Sequence, residues 1–416
     1  MRLFAQYRGL KRENYILFFG RLVTNLGSMV WPMLTLILTA KLGYTASQAS
    51  LLMILAGLVA LPVNLMGGVL ADCMNKKTII IVCDVISVVL YAVCALLPLS
   101  VLSLVLIVAA SSAQTLEHPA YSGIIADITP TRDRERAYSL QYLGMNIGYV
   151  AAPTIAGMLF RDYLWLSFLI SSFSILCSTV LILLLVRDIT PVTETAEEAV
   201  YQHGHAEDSL LRVLRGSGAL MLYLAVMTIY SGAYMQYSYL MPIDLTARHG
   251  DTGSVLYGSL SSVNCIICVL ATPVITRAFR KLTTTVKTLI GVLLLMAGYA
   301  LFLLPFNLVP LYYVTMVLFT LGEVFTTVAN GPHLSDRVPA AHRGRINALY
   351  SVLTSAAYSL QLLVTGRLYD STGSSAASWR FVLLCLTVSV ALCLALLPAD
   401  RRRYPKLYDD RTGKGA

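Results

Sequence analysis

Charge is scarce in this chain. Asp, Glu, Lys and Arg make up only 13% of its 416 residues, while the mean hydropathy is +0.70. A soluble protein of this composition would need helices that are apolar all round, which excludes an ordinary water-soluble domain. Long polar segments are scarce too: the longest is 188–215. The chain has no G-x-S-x-G, no H-E-x-x-H and no pair of Asp residues within its apolar runs, so a membrane enzyme is not expected. The net charge of +9 comes from basic residues scattered over many short segments. That scatter excludes a nucleic-acid surface and suits anionic lipid headgroups. Residues 1–14 are polar and the apolar run after them is too long for a cleavable signal, so the first span is expected to be retained. None of the eight cysteines falls in an outside loop, so a disulfide framework is not expected. Cys265 and Cys268 form a C-x-x-C pair without a second ligand pair, which favours helix packing over metal or redox use. No cofactor and no metal are expected.

What the chain does have is twelve apolar stretches, near 15–40, 47–71, 78–97, 102–126, 137–160, 165–187, 216–245, 255–276, 288–304, 310–335, 346–366 and 381–398. A hydrocarbon core of ~30 Å takes ~20 apolar residues per helix, so twelve spans and short loops use the whole length. With the gaps numbered alternately inside and outside from an inside N-terminus, 25 of the 31 Lys and Arg residues fall inside, counting Arg187 at the inside end of the sixth stretch. Outside lie only Lys41, Arg161, Arg248, Arg367 and Arg380, and Arg21 lies within the first span. Such a bias sets orientation. The expectation is a multi-pass, all-α protein of the cell membrane with both termini cytoplasmic.

The organisation expected is a six-helix half over 1–187, a cytoplasmic linker over 188–215, a second six-helix half over 216–398, and a basic cytoplasmic tail over 399–416. The linker carries Glu194, Glu197, Glu198, Glu207 and Asp208, and Ser209 to Arg215 is a candidate surface helix. His203 with Asp208, and His203 with His205, make catalytic or metal spacings that an acidic loop without a groove gives by chance. The halves repeat: Asp127-Ile-Thr-Pro130 with Arg134 and Arg136 returns as Asp336-Arg-Val-Pro339 with Arg343 and Arg345. One copy would be an ordinary helix exit. Two copies at matching places indicate duplication, the architecture of a secondary transporter with its site at the midplane.

Here the chain resembles the major facilitator superfamily over essentially its whole length, within it the twelve-span drug/proton antiporters. Gly68-Val-Leu-Ala-Asp72-Cys73-Met-Asn75-Lys76-Lys77 is similar to the signature G-x-x-x-D-R-x-G-R-K. Asp72, Lys76 and Lys77 match, while Cys73 and Asn75 replace Arg and Gly. In the family this acid pairs across the cytoplasmic face and helps hold the outward-open state. The resemblance therefore implies a conformational gate from Asp72, Lys76 and Lys77, with Asp127, Arg136, Asp336 and Arg345 at the repeated helix exits. Gly148-Tyr-Val-Ala-Ala152-Pro153-Thr-Ile-Ala156-Gly157 is similar to the antiporter motif G-x-x-x-G-P-x-x-G-G, with Ala at two Gly positions. Its small residues allow close helix approach and Pro153 bends the span; generic small-residue packing is the alternative. Leu321-Gly322-Glu323 resembles the L-G-E of multidrug/proton antiporters, whose Glu takes part in proton and drug binding. Positions where relatives carry further acids are Gln141 and Ser238 here.

Intramembrane charge costs roughly 2.5–3.5 kcal/mol on insertion scales and calls for a partner or a cavity. Glu323 lies 13 residues before Asp336, roughly 20 Å deep at a 1.5 Å rise. Glu117 lies 10 residues before Asp127, roughly 15 Å deep. Each is either a proton carrier and ligand or a permanently neutral hydrogen-bond donor. Polar residues recur at helical spacing on four spans: Arg21, Thr24, Asn25 and Ser28; Ser111, Gln114, Glu117, His118 and Tyr121; Tyr223, Tyr230, Tyr234 and Tyr237; Glu323, Thr326, Thr327 and Asn330. The fold resembled places these four spans around a central cavity. Arg21 either binds an anion or pairs with an acid, with Asp84 as a candidate partner. His118 is a proton relay or a packing residue. The tyrosines either stack on aromatic or cationic ligands or pack the helix. The expected function is proton-coupled efflux of small amphipathic or cationic compounds by a monomer. The alternatives are a proton-coupled importer of a peptide, sugar or other metabolite, and a non-transporting receptor or scaffold.

Overall fold

A computed structural model describes residues 7–129, 131–186, 217–279, 281–304, 308–338, 343–405 and 408. The linker over 188–215, the end of the tail, and the side chains of Asp72, Arg134, Arg136, Asp336, Arg343 and Arg345 lie outside the described residues. All regular structure among the described residues is helical. The long elements are α1 (Arg12–Leu26), α2 (Ala46–Cys73), α3 (Lys76–Leu96), α4 (Val101–Ile128), α5 (Thr131–Tyr149), α6 (Ala152–Leu159), α7 (Leu164–Leu185), α8 (Gly218–Tyr234), α9 (Leu240–His249), α10 (Thr252–Ala278), α11 (Thr284–Ala300), α12 (Val309–Arg337), α13 (Arg343–Thr372) and α14 (Ser375–Arg403).

Nine segments among the described residues are long and apolar enough to cross a membrane. Three of the twelve expected spans are not among them. The stretch 15–40 is broken: α1 ends at Leu26, a turn runs through Pro32, and a π-helical segment Ile37–Lys41 follows. Gly27 lies against Ser174 of α7, and Pro32 has no N–H to continue the ladder. The stretch 137–160 is split into α5 and α6, with Pro153 in the first turn of α6. The third, α13, is 30 residues long but rich in Ser, Thr and Tyr. The stretch 216–245 is also interrupted, by a 3₁₀ turn over Met235–Tyr237 between α8 and α9. Many large apolar side chains point outward, among them Leu65 at 75%, Phe173 at 67% and Leu270 at 63% exposure. In water such surface would drive aggregation; against lipid it is solvated.

The chain divides into two compact units. Unit 1 holds the described residues within Met1–Tyr44, Leu51–Thr195 and Leu245–Ile266, and unit 2 those within Thr45–Ser50, Ala196–Asp244 and Ile267–Ala416. The apolar core of unit 1 joins Leu17, Ile80, Ile124, Ile128, Leu140 and Ile182, from α1, α3, α4, α5 and α7. Polar contacts bind the same helices. Ser171 donates to the Gly27 carbonyl at 2.5 Å, and Ser172 to the Val88 carbonyl at 2.8 Å. Hydroxyls of this kind are adhesive between helices where water is absent. Glycines set the closest approaches. A Cβ on Gly148 would overlap the Leu22 carbonyl of α1, one on Gly157 the Ser254 carbonyl of α10, and one on Gly258 the Pro153 carbonyl of α6. The stretch from Gly148 to Gly157 is therefore a close-packing surface on both its helices.

In unit 2, Trp379 of α14 is fully buried between Tyr299 and Phe302, and its indole N–H donates to Asp244 at 3.1 Å. Asp370 of α13 accepts from the backbone N–H groups of Ala46 and Ser47 at 3.0 and 2.8 Å, capping the start of α2.

Candidate functional site

Two polar clusters lie within the helices, one in each unit. In unit 2, Glu323 projects from α12 at the wall of a cavity of about 250 Å³, lined also by Met227, Tyr230, Tyr234, Thr326, Asn330 and Tyr350. The Tyr234 hydroxyl donates to Glu323 Oε1 at 2.8 Å. The Thr326 hydroxyl donates to the Tyr230 oxygen at 2.9 Å, and the Tyr223 hydroxyl to Asn330 Oδ1 at 3.0 Å. The helical spacing of Glu323, Thr326 and Asn330 puts all three on the face of α12 that meets α8. Chemically this wall offers one carboxylate, several hydroxyls and flat aromatic faces, a set suited to a cation.

The tyrosine stripe serves two purposes. Tyr230 and Tyr234 line the cavity and stack on each other, with ring centroids 6.2 Å apart. Tyr234 also stacks on Phe319 at 5.3 Å. Tyr237 belongs to the 3₁₀ turn beyond α8 and its ring packs on Phe319 at 5.0 Å. Tyr223 stacks on His333 at 3.5 Å. Tyr350, on the polar α13, is a lining residue that sequence reading missed; a Tyr within that Ser/Thr-rich stretch was the signal.

In unit 1 the cluster is Arg21 of α1, Asp84 of α3 and Glu117 with Tyr121 of α4. Arg21 is 9% exposed and both acids are 2% exposed. Gly20 lets α1 approach α7 beside Arg21, since a Cβ there would stand 3.1 Å from Ser178 Oγ. The Arg21 guanidinium lies over the Tyr121 ring, 3.7 Å from its centroid, as a cation–π contact. It is close enough for its charge to act on Asp84 and Glu117, yet it forms no ion pair with either. The expected pairing with Asp84 is thus an interaction through space, because the aromatic face takes the guanidinium. Thr179 of α7 donates to Asp84 Oδ2 at 2.8 Å. Asn25 turns back to donate to the Arg21 carbonyl at 2.8 Å. Gln114 is half-buried and His118 exposed on the same helix as Glu117, and no side-chain hydrogen bond joins either to the cluster.

Of the gate residues, Lys76 and Asp127 meet: Lys76 Nζ donates to Asp127 Oδ2 at 2.8 Å. Lys77 donates to the carbonyls of Leu183 and Val186 at 2.9 and 2.7 Å, closing the end of α7. Asn75, where the signature has Gly, caps α3 by accepting from the Lys77 and Thr78 N–H groups. Arg337, which stands in the second Asp-Arg-Val-Pro copy where the first has Ile128, makes a two-pronged pair with Asp400 of α14, both contacts at 2.6 Å. Gln141 donates to the Asn14 carbonyl at 2.9 Å and Ser238 to the Met235 carbonyl at 3.0 Å, so both act within the helix packing.

Helices of membrane-spanning length, two helical units and buried charge inside each define a polytopic transport protein. The family model of the Major Facilitator Superfamily matches residues 17–362, and the chain belongs to that superfamily, a family of transporters rather than enzymes. It is similar to a Na(+), Li(+), K(+)/H(+) antiporter of Planococcus maritimus, at 24% identity over 86% of this chain and 88% of that protein. It is also similar to the quinolone resistance protein NorA of Staphylococcus aureus, at 29% identity over 36% of this chain and 39% of that protein. Among solved structures, a peptide transporter POT in complex with sulfate has a TM-score of 0.75 at 16% identity, over 95% of each chain. The nucleoside transporter NupG has a TM-score of 0.69 at 14% identity, over 92% of this chain and 99% of that one. At such identities the structural likeness shows the fold.

Proposed function

We propose that this protein is a proton-coupled exporter of small cations, with twelve spans and cytoplasmic termini in the cell membrane. The observation that carries the reading is Glu323: an acid on an apolar helix, facing a cavity with aromatic walls and held by the Tyr234 hydroxyl. Deprotonated Glu323 attracts a cation from the cytoplasm. Opening to the outside releases it, and external protons neutralise the acid before the empty carrier returns. Glu117 takes part as the second intramembrane acid. Proton and substrate are coupled because each shifts the same conformational equilibrium by its differential affinity. The broken first, fifth and seventh spans are suited to cavity-lining helices.

A second reading, exchange of an inorganic monovalent cation for protons, is favoured by the similarity to the Na(+), Li(+), K(+)/H(+) antiporter over 86% of the chain. The size of the cavity supports it: about 250 Å³ is below the ~300–1,000 Å³ of drug-sized sites. The two readings share Glu323 and differ in cargo. Proteoliposomes with an imposed pH gradient separate them: an organic-cation dye, Na⁺ and a dipeptide are offered in turn. Flux of dye or Na⁺ against its gradient, abolished by Glu323→Gln in a well-folded protein, is the expected result. Undiminished gradient-driven flux in Glu323→Gln sinks the assignment, and inward concentration of the dipeptide alone supports an importer.

A further inference from the structure

The unit 1 cluster contains a feature that a single carrier acid does not explain. Asp84 and Glu117 lie close enough for each carboxyl to act on the other. An ionised carboxylate only accepts hydrogen bonds, so two carboxyls bond to one another only when one of them carries a proton. Both are buried at 2% exposure, where two adjacent carboxylates would repel without water to screen them. Glu117 Oε2 is buried with no hydrogen-bond partner. An ionised oxygen so placed would be expensive, whereas the carbonyl oxygen of a neutral acid is tolerated. Thr179 already donates to Asp84 Oδ2 at 2.8 Å, which favours the charge on Asp84 and the proton on Glu117.

We propose that Asp84 and Glu117 together form a two-carboxyl site that holds one shared proton between α3 and α4, with Arg21 as its movable counter-charge. The groups facing the pair are Arg21 of α1, Cys83 of α3, Tyr121 of α4 and the Thr179 hydroxyl of α7. Arg21 is the permanent cation among them. While the proton is bound, the pair carries one negative charge, and Arg21 rests on the Tyr121 ring. Loss of the proton leaves two negative charges, and Arg21 leaves the ring to pair with them. A change in protonation thereby becomes a movement between α1 and α3–α4. Nothing is consumed: a proton leaves the Glu117 oxygen, and both carboxylates remain.

The use of this site in transport rests on the proton-coupled reading above, but the site is tested without flux. Infrared difference spectra of the full chain in lipid nanodiscs, taken through an acid-to-alkaline titration, read the carbonyl stretch of protonated carboxyls. The expected result is one band that both Asp84→Asn and Glu117→Gln remove or displace, and that Glu323→Gln leaves in place. Arg21→Gln is expected to raise the proton affinity of the pair about tenfold or more, since an opposite charge nearby has been lost. Thr179→Val shifts the band without removing it. A band abolished by Glu117→Gln but unmoved in position and midpoint by Asp84→Asn overturns the shared site. If Asp84→Asn does not fold, Thr179→Val and Arg21→Gln decide, and an unmoved band in both overturns it. Normal proton-driven flux in Glu323→Gln with the expected band behaviour defeats the functional reading and leaves the pair standing.

Discussion

The Tyr234 hydroxyl donates to Glu323 Oε1 at 2.8 Å, while the same ring stacks on Phe319 and Tyr230. Hydroxyl and ring therefore do separate things, and two substitutions part them. Tyr234→Phe keeps the stack and removes the donor. It is expected to cost about 1 kcal/mol or less in stability and to displace the pH dependence of transport. Tyr234→Ala removes the ring as well, and is expected to cost about 3–5 kcal/mol along with affinity for organic cations. Thermal unfolding in detergent and pH-dependent flux measure the two effects. Identical pH profiles in Tyr234→Phe and wild type would deny the hydroxyl any part in coupling.

The Lys76–Asp127 pair joins the start of α3 to the end of α4. Its side chains are 24% and 27% exposed, so its worth to stability is small, about 0–1 kcal/mol. If it acts in the gate, Lys76→Ala should slow turnover several-fold with substrate affinity and unfolding temperature almost unchanged. Binding by tryptophan quenching and flux in vesicles test the two separately. A large loss of affinity at normal turnover would place Lys76 in the substrate path instead.

Helices, family and the midspan acid of α12 were legible because each leaves a local signal: apolar run length, basic loops, the Gly68 to Lys77 stretch, and Glu323 among apolar neighbours. What was not legible depends on contacts distant in sequence. Arg21 was expected to pair with Asp84, but the sequence carries no sign that Tyr121, a hundred residues on, offers a closer face. The tyrosine stripe read as continuous because its spacing is helical. The 3₁₀ turn at Met235–Tyr237 rotates Tyr237 onto Phe319, and only tertiary packing fixes that turn. Spans one and five read as single apolar runs, since hydropathy averages over the Gly27–Pro32 and Val150–Pro153 breaks. Arg337 looked like one more basic residue at a helix exit until Asp400 appeared beside it.

Asp370 caps α2 through the N–H groups of Ala46 and Ser47. Partial burial opposes its charge, but donors from Ser47, Ala46 and Thr45 outweigh it and hold the carboxyl below its ordinary range. The folded value is the lower one, so the cap contributes fully above the unfolded value of about 3.9 and is lost as pH falls through the folded value. Protection of the Ala46 and Ser47 amides from hydrogen exchange, corrected for intrinsic rate, should therefore be unchanged from neutral pH down to the ordinary Asp range and fall below it. Asp370→Asn should show reduced protection already at neutral pH. Equal protection in the variant and the wild type at neutral pH would mean that the carboxylate charge adds nothing to the cap.

The pair of Arg337 with Asp400 presents the opposite case to Lys76–Asp127. Its side chains are 2% and 0% exposed, and Asp400 accepts further bonds from Thr285 at 2.7 Å and Tyr408 at 2.7 Å. Burial costs each ion several kcal/mol, which the two-pronged geometry and added donors offset. Removing one partner strands the other without water. Asp400→Leu is expected to destabilise the protein by about 3–5 kcal/mol, and Arg337→Met to do much the same. If the loss is stranded charge, the double substitution Arg337→Met with Asp400→Leu should recover most of it, because an apolar pair needs no desolvation. Thermal unfolding of the four proteins in one detergent forms the cycle. Recovery in the double variant assigns the cost to the unpaired ion. Additive losses would show instead that the pair, with Tyr408 bonded to Asp400, is a net source of stability holding the end of α12 against α14.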